Sequence, residues 1–162
     1  MAKRVDLFDS TYSNFTEEVL DAIRKETFGV DIGQNSWLTV DEYERWLPRL
    51  NLTGDSHLLE IASGSGGPAS YVARTTGCRV TGIDANESGV ATASQLTADA
   101  GDSDRVHFQV ADATASLPFA EGSFDALLCI DSMNHFPNRL AVFRSGAGSS
   151  AQVAGRFSPT RC

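Results

Sequence analysis

Three acidic residues, each at or just past an apolar run, carry the most legible chemistry of this 162-residue chain. Glu60 stands ahead of the turn Ala62-Ser63-Gly64-Ser65-Gly66-Gly67, whose glycines let the backbone bend tightly and a ligand come close to it. At about 4 Å and an effective dielectric of about 20, a charge pair is worth roughly 4 kcal/mol before desolvation. A carboxylate there repels a diphosphate and holds an ammonium. Pro68, at the expected first helical position, removes one of the amide donors with which a helix N-terminus grips phosphate. Asp84 closes the run Val80-Thr81-Gly82-Ile83 about 20 residues after the turn, where a carboxylate can accept hydrogen bonds from both hydroxyls of a ribose. Asp112 ends a third run before Leu117-Pro118-Phe119, placed to accept from a ring amine sandwiched by apolar neighbours. Beyond a fourth run, His135 and Asp131 are the candidate catalytic pair, because an imidazole can take a proton from an amine, a hydroxyl or an acidic carbon near neutral pH. His107, inside a run, reads as structural.

These residues need a scaffold that brings several strand ends together. His57 to Ala62, Cys78 to Ile83, Val106 to Val110 and Phe124 to Ile130 are nearly continuous in apolar character, as parallel strands buried on both faces must be. Helix-length segments led by Pro68 and by Asn86 with Glu87, and the stretch Ala113 to Gly122, separate them. Strand, crossover, strand in series predicts an α/β fold with a Rossmann-like start: a parallel sheet of about four strands with helices on both faces. Residues 1–56 are expected to form a helical cap and lip. Asn14 with Glu17 makes a capping box ahead of Phe15, Val19 and Ile23 at helical spacing, and Gly29 ends that helix. Thr39 with Glu42 repeats the box before Tyr43, Trp46, Leu47 and Leu50, and Pro48 limits the turn. Between them, Gly33-Gln34-Asn35-Ser36-Trp37 is a polar loop whose Trp37 either edges a ligand or packs on the core.

Gly64-x-Gly66-x-x-Ala69 also satisfies the loose dinucleotide pattern, so a fragment of an NAD-dependent oxidoreductase is one alternative. Glu60 and Pro68 oppose a diphosphate. They suit S-adenosylmethionine, which brings an ammonium and a sulfonium and no phosphate. Over roughly residues 30 to 144 the chain resembles the class I S-adenosylmethionine-dependent methyltransferases. Glu60 to Gly67 is similar to their motif I, Val80 to Asp84 to their acidic second-strand end, Asp112-Ala113 with Leu117-Pro118-Phe119 to their adenine segment, and Phe124 to Ile130 to their fourth strand. The run Ile32 to Ser36 and Asp131-Ser132-Met133-Asn134-His135 further resemble small-molecule enzymes of the phosphoethanolamine, sarcosine and ubiquinone types. The resemblance implies that Ser36 and Gly64 approach the methionine end, Asp84 the ribose, and Asp112 and Ala113 the adenine, with Glu60, Ala62, Gly66 and Ala85 also among the cofactor-binding residues. It implies methyl transfer to a nitrogen, oxygen or carbon of a small-molecule acceptor. Neither Asp-Pro-Pro-Tyr nor Asn-Pro-Pro-Tyr follows the fourth strand, which disfavours base-amino methylation of nucleic acid.

Composition supports these exclusions. Thirteen Lys plus Arg against 21 Asp plus Glu give a net charge of −8, so no general cationic field attracts nucleic acid or anionic lipid. Neither a long apolar span nor a signal-peptide pattern is present, and a cytoplasmic protein is expected. Cys78, Cys129 and Cys162 lack CxxC spacing, which points to no disulfide framework and no metal site. Residues 145–162 are expected to be an aberrant or unstructured tail following the first half of a ligand-binding domain at 57–144. Members of the resembled class have seven strands and a Leu-x-Pro-Gly-Gly turn before the fifth. Ser149 to Ala154 can be encoded so that a shifted frame reads Leu-Ser-Pro-Gly-Gly, so a frameshift or altered splice from about residue 145 is expected. Truncation there would leave the fourth strand as an apolar edge open to self-association, and would put activity of the chain alone in question. A binding or regulatory variant without catalysis is the remaining alternative.

Overall fold

The computed structural model describes residues 8–115, 117–140, 142 and 152–155. Strands β1 (His57–Ile61), β2 (Arg79–Asp84) and β3 (Val106–Val110) are joined by helices α4 (Gly67–Thr76) and α5 (Glu87–Asp99). Strand β4 (Ala126–Cys129) then returns to the other side of β1, and β5 (Gln152–Gly155) lies beyond it. The order is β3-β2-β1-β4-β5, with every pairing parallel. The chain therefore reverses its winding between β1 and β4, and their carboxyl ends open a crevice of the kind in which α/β sheets bind ligands. Asn86 starts α5 at the top of β2, its side chain accepting the Gly89 amide at 2.7 Å.

Alternation along β1 sorts its side chains between two cores. Leu58 joins Val80, Val106, Ala126 and Leu128 under α3 and α4. Leu59 and Ile61 join Ile83, Leu127 and Cys129 on the opposite face. Glu60 falls on the Leu58 side, so a carboxyl stands in an otherwise apolar layer at 2% exposure.

The N-terminal part departs from expectation at its start. Two helices form where one was predicted, α1 (Asp9–Ser13) and α2 (Glu18–Phe28), and Glu17 rather than Asn14 occupies the N-cap of the second. Gly29 closes α2 as predicted, at φ 72°. Phe15 is buried, but Val19 and Ile23 stand 67% and 52% exposed, so the helical spacing did not mark a core-facing stripe. Polar fastening replaces apolar packing there: Arg24 donates to Asp31 at 3.0 Å and to the Phe15 carbonyl at 3.0 Å, and covers the Phe15 ring at 4.0 Å. The second capping box forms as predicted, with Thr39 and Glu42 opening α3 (Val40–Trp46) and a 3-10 turn at Leu47–Leu50 taking up Pro48.

Two expectations about the end of the sheet need correction. Gln152–Gly155, inside the segment expected to lack structure, pairs with Ala126–Cys129 as a fifth strand. Strand β4 is consequently not an open edge, because its outward amides and carbonyls have a partner. The remainder of 145–162, including Cys162, lies outside the described residues.

Candidate functional site

The crevice holds a cavity of about 660 Å³. Of the residues singled out from the sequence, Ser36, Glu60, Ala62, Gly64, Asp84, Ala85, Asp112, Ala113, Asp131 and His135 all line it. Gly66 does not. It takes φ 79° at the N-cap of α4, and a Cβ there would stand 2.5 Å from the Phe108 ring and 2.8 Å from Ala93, so it serves packing of turn on sheet rather than ligand contact.

The two strand ends that flank the crevice both leave in a left-handed conformation on non-glycine residues, Ala62 at φ 58° and Asp131 at φ 51°. That turn sends the segment after β1 into the glycine bend. Asp84 fixes the bend from β2: its Oδ2 accepts the Gly64 amide at 2.9 Å and its Oδ1 the Asn86 amide at 2.8 Å. The lip is fastened over the crevice at three points. Gly33 packs backbone to backbone on Gly67, the Asn35 amide side chain donates to Ser65 Oγ at 2.7 Å, and the Trp37 amide donates to Asp131 Oδ2 at 2.8 Å. Trp37 itself is 80% exposed, so it does not pack on the core. Helix α1 closes another side, bonded to α5 through Ser88 to Asp9 at 2.7 Å and Thr92 to the Tyr12 carbonyl at 3.0 Å.

Glu60 sets the electrostatics. Burial and the neighbouring Asp84 carboxylate push its pKa up to about 8, against the smaller opposing effect of the Ala69 amide. Its Oε2 has no hydrogen-bond partner, and the Ser36 and Ser63 hydroxyls on the same cavity wall are likewise unpartnered. Buried oxygens without partners are costly, and a cation bearing several N–H donors would satisfy the carboxylate. A diphosphate would add repulsion. Asp112 lies at the opposite end, where the Thr114 hydroxyl and amide bind its Oδ1 at 2.7 and 2.8 Å and hold its carboxyl below the usual range. Aromatic and apolar groups gather beyond the end of β4: Ile130, Phe136 and His135, with Phe8 meeting His135 edge-on at 6.0 Å between centroids. Among the described residues no group of three His, Cys, Asp or Glu side chains is placed to hold a metal ion.

Residues 59–148, more than half of the chain, match the family described as "Methyltransferase domain". This chain belongs to that family. The methyltransferase domain is 36% identical over 104 residues to Methyltransferase GfsG of Streptomyces halstedii, covering 64% of this chain and 37% of that protein. It is also 36% identical over 104 residues to 27-O-demethylrifamycin SV methyltransferase of Amycolatopsis mediterranei, covering 64% of this chain and 38% of that one. The chain thus spans little more than a third of the length of these two curated relatives. Among solved structures, the geranyl diphosphate C-methyltransferase of Streptomyces coelicolor A3(2), in complex with S-adenosyl-L-homocysteine, superposes with a TM-score of 0.64 at 18% identity over 71% of this chain and 44% of that one, a likeness of fold. The [4+2]-cyclase SpnF superposes with a TM-score of 0.62 at 29% identity over 74% and 44%. The sequence-derived resemblance to class I methyltransferases therefore holds, and nothing points to the oxidoreductase alternative.

Sequence reasoning left out Asn35, Ser63, Ser65 and Asn86, which build the walls of the methyltransferase site. Ser63 and Ser65 were visible inside the glycine turn. Asn35 was visible in the polar loop, but its hydrogen bond to Ser65 was not, since 30 residues separate the two.

Proposed function

We propose that the cavity binds S-adenosylmethionine and that the methyltransferase passes its methyl group to a small, largely apolar acceptor. The observation that carries this reading is that Glu60 lines the cavity, as Ser36 and Ser63 do, while its buried Oε2 has no hydrogen-bond partner. When bound, the cofactor supplies an electrophilic methyl group on a sulfonium. The chain supplies position: Glu60 takes the ammonium, Asp84 keeps further lone pairs for the ribose hydroxyls, and Ala113 with Asp112 flanks the adenine. Methyl transfer is an in-line displacement, so holding the nucleophile near the sulfonium and shedding water accounts for most of the rate. Ile130, Phe136 and Phe8 favour an apolar acceptor at the end of β4, and His135 beside them is placed to take a proton from its nucleophile. Asp131 contributes by holding the Trp37 amide and with it the lip. Relatives named for a rifamycin and for sterols fit an apolar acceptor.

Ligand binding without methyl transfer is the second reading, favoured by the likeness to a protein named as a cyclase. Titration with S-adenosylmethionine, S-adenosylhomocysteine and NAD separates the cofactor readings. Saturation by the first two and not by NAD is expected; saturation by NAD would overturn the assignment. Turnover on a panel of amines, phenols and quinols then decides between catalysis and binding alone.

A further inference from the structure

Among the described residues, four buried side-chain oxygens lack a hydrogen-bond partner: Ser36 Oγ, Tyr43 Oη, Glu60 Oε2 and Ser63 Oγ. Three of these residues line the cavity; Tyr43 does not. It projects from α3 and is 0% exposed, its ring edge-on to Tyr71 at 5.7 Å and tilted against Trp46 at 5.2 Å. A phenylalanine would fill that space without burying an unsatisfied hydroxyl, so packing alone does not account for the oxygen. Burial, then the Glu60 carboxylate and more weakly that of Asp131, raise the pKa of the phenol; the Ser36 hydroxyl is near enough to oppose that rise, yet no hydrogen bond is closed between the two.

We propose that Tyr43 is a positioning residue whose hydroxyl donates to Ser36 Oγ and thereby turns the Ser36 proton toward the carboxylate of the bound amino-acid end. The inference rests on the cofactor reading above. An ammonium on Glu60 fixes the carboxylate of the same amino acid within a few bonds of it, on the wall where Ser36 stands. A serine hydroxyl has one proton and two acceptor sites, so accepting from Tyr43 leaves its own proton for the ligand, and each bond polarises the next.

Tyr43→Phe in the full chain tests this, read by thermal melting and by titration with S-adenosylhomocysteine and with 5′-methylthioadenosine, which keeps the nucleoside and lacks the amino-acid end. The ligand-free variant is expected to melt at or above the parent temperature, because an unsatisfied buried hydroxyl is gone. Its affinity for S-adenosylhomocysteine is expected to fall about fivefold, as for loss of one hydrogen bond, with affinity for 5′-methylthioadenosine unchanged. In a Ser36→Ala background the same substitution is expected to cost nothing further, since the two act as one unit. A lower melting point, equal losses for both ligands, or additive effects with Ser36→Ala would each overturn the role of Tyr43 while leaving the cofactor reading intact. A parent chain that binds neither ligand overturns both.

Discussion

A carboxyl at Glu60 is expensive for the ligand-free protein, and that expense is measurable through pH. With its pKa pushed up from 4.5 to about 8, the folded state holds a proton that the unfolded state has already released. The unfolded chain binds fewer protons over that interval, so stability falls as pH rises from about 4.5 to about 8 and levels off beyond. Shifts of this size correspond to a few kcal/mol at most after structural relaxation. Binding of an ammonium needs the ionised form, so one proton must leave when the ligand arrives below the raised pKa. We expect the affinity for S-adenosylhomocysteine to climb between pH 6.5 and 8, and proton release to register as a buffer-dependent heat in calorimetry. Glu60→Gln should abolish both the slope and the proton release, weaken binding by at least about tenfold, and flatten the denaturation curves between pH 5 and pH 8. Equal proton release by the variant would assign the titration to another group.

At the scale of elements, the lip walls one side of the strand-end crevice, and its seat is backbone on backbone. A Cβ at Gly67 would collide with the carbonyl oxygens of Gly33 and Ile32, neither of which can swing aside as a side chain could. Gly67→Ala is therefore expected to cost about 1–3 kcal/mol, seen as a lower melting temperature, and to weaken S-adenosylhomocysteine binding by displacing Ser36. Gly54→Ala serves as the control, because its Cβ would meet only the Gly77 carbonyl oxygen at an ordinary 3.9 Å; an equal loss there would remove the lip from the argument. The same element shows where reading the chain locally succeeds. Thr39 with Glu42 marked α3 correctly because a capping box is closed by residues three apart. Asn14 with Glu17 carried the same spacing and failed, since α2 buries none of its residues and is secured by Arg24 to Asp31 instead. The strands, the glycine turn and the carboxylates at their ends were legible for a related reason: each is a short-range pattern that a parallel sheet places at one end. Trp37 to Asp131 and Asn35 to Ser65 were not, because 94 and 30 residues separate the partners.

For the whole molecule, the least legible feature is the fifth strand, and it decides how the sheet meets solvent. Gln152-Val153-Ala154-Gly155 has no apolar period and little β-propensity of its own; what makes it a strand is the edge it pairs with. Ala126, Leu127, Leu128 and Cys129 are between 0% and 1% exposed, packed alternately into the cores on either face, so β4 cannot adapt by turning its side chains outward. Removing β5 would leave the amides and carbonyls of its outer edge unpaired beside an apolar strand, a template for a second copy. The groups proposed to hold the cofactor, Glu60, Asp84 and Asp112, all precede β4 and stand in β1, at the end of β2 and just past β3, whereas β5 pairs with β4. Deleting residues 152–162 is thus expected to produce concentration-dependent association in size-exclusion chromatography with light scattering, while the soluble fraction still binds S-adenosylhomocysteine. If the shortened chain elutes at the same mass per chain as the full one across a hundredfold range of concentration, pairing by β5 is not what protects the β4 edge. If it instead loses ligand binding at low concentration, where association is absent, the crevice between β1 and β4 depends on the fifth strand for its shape.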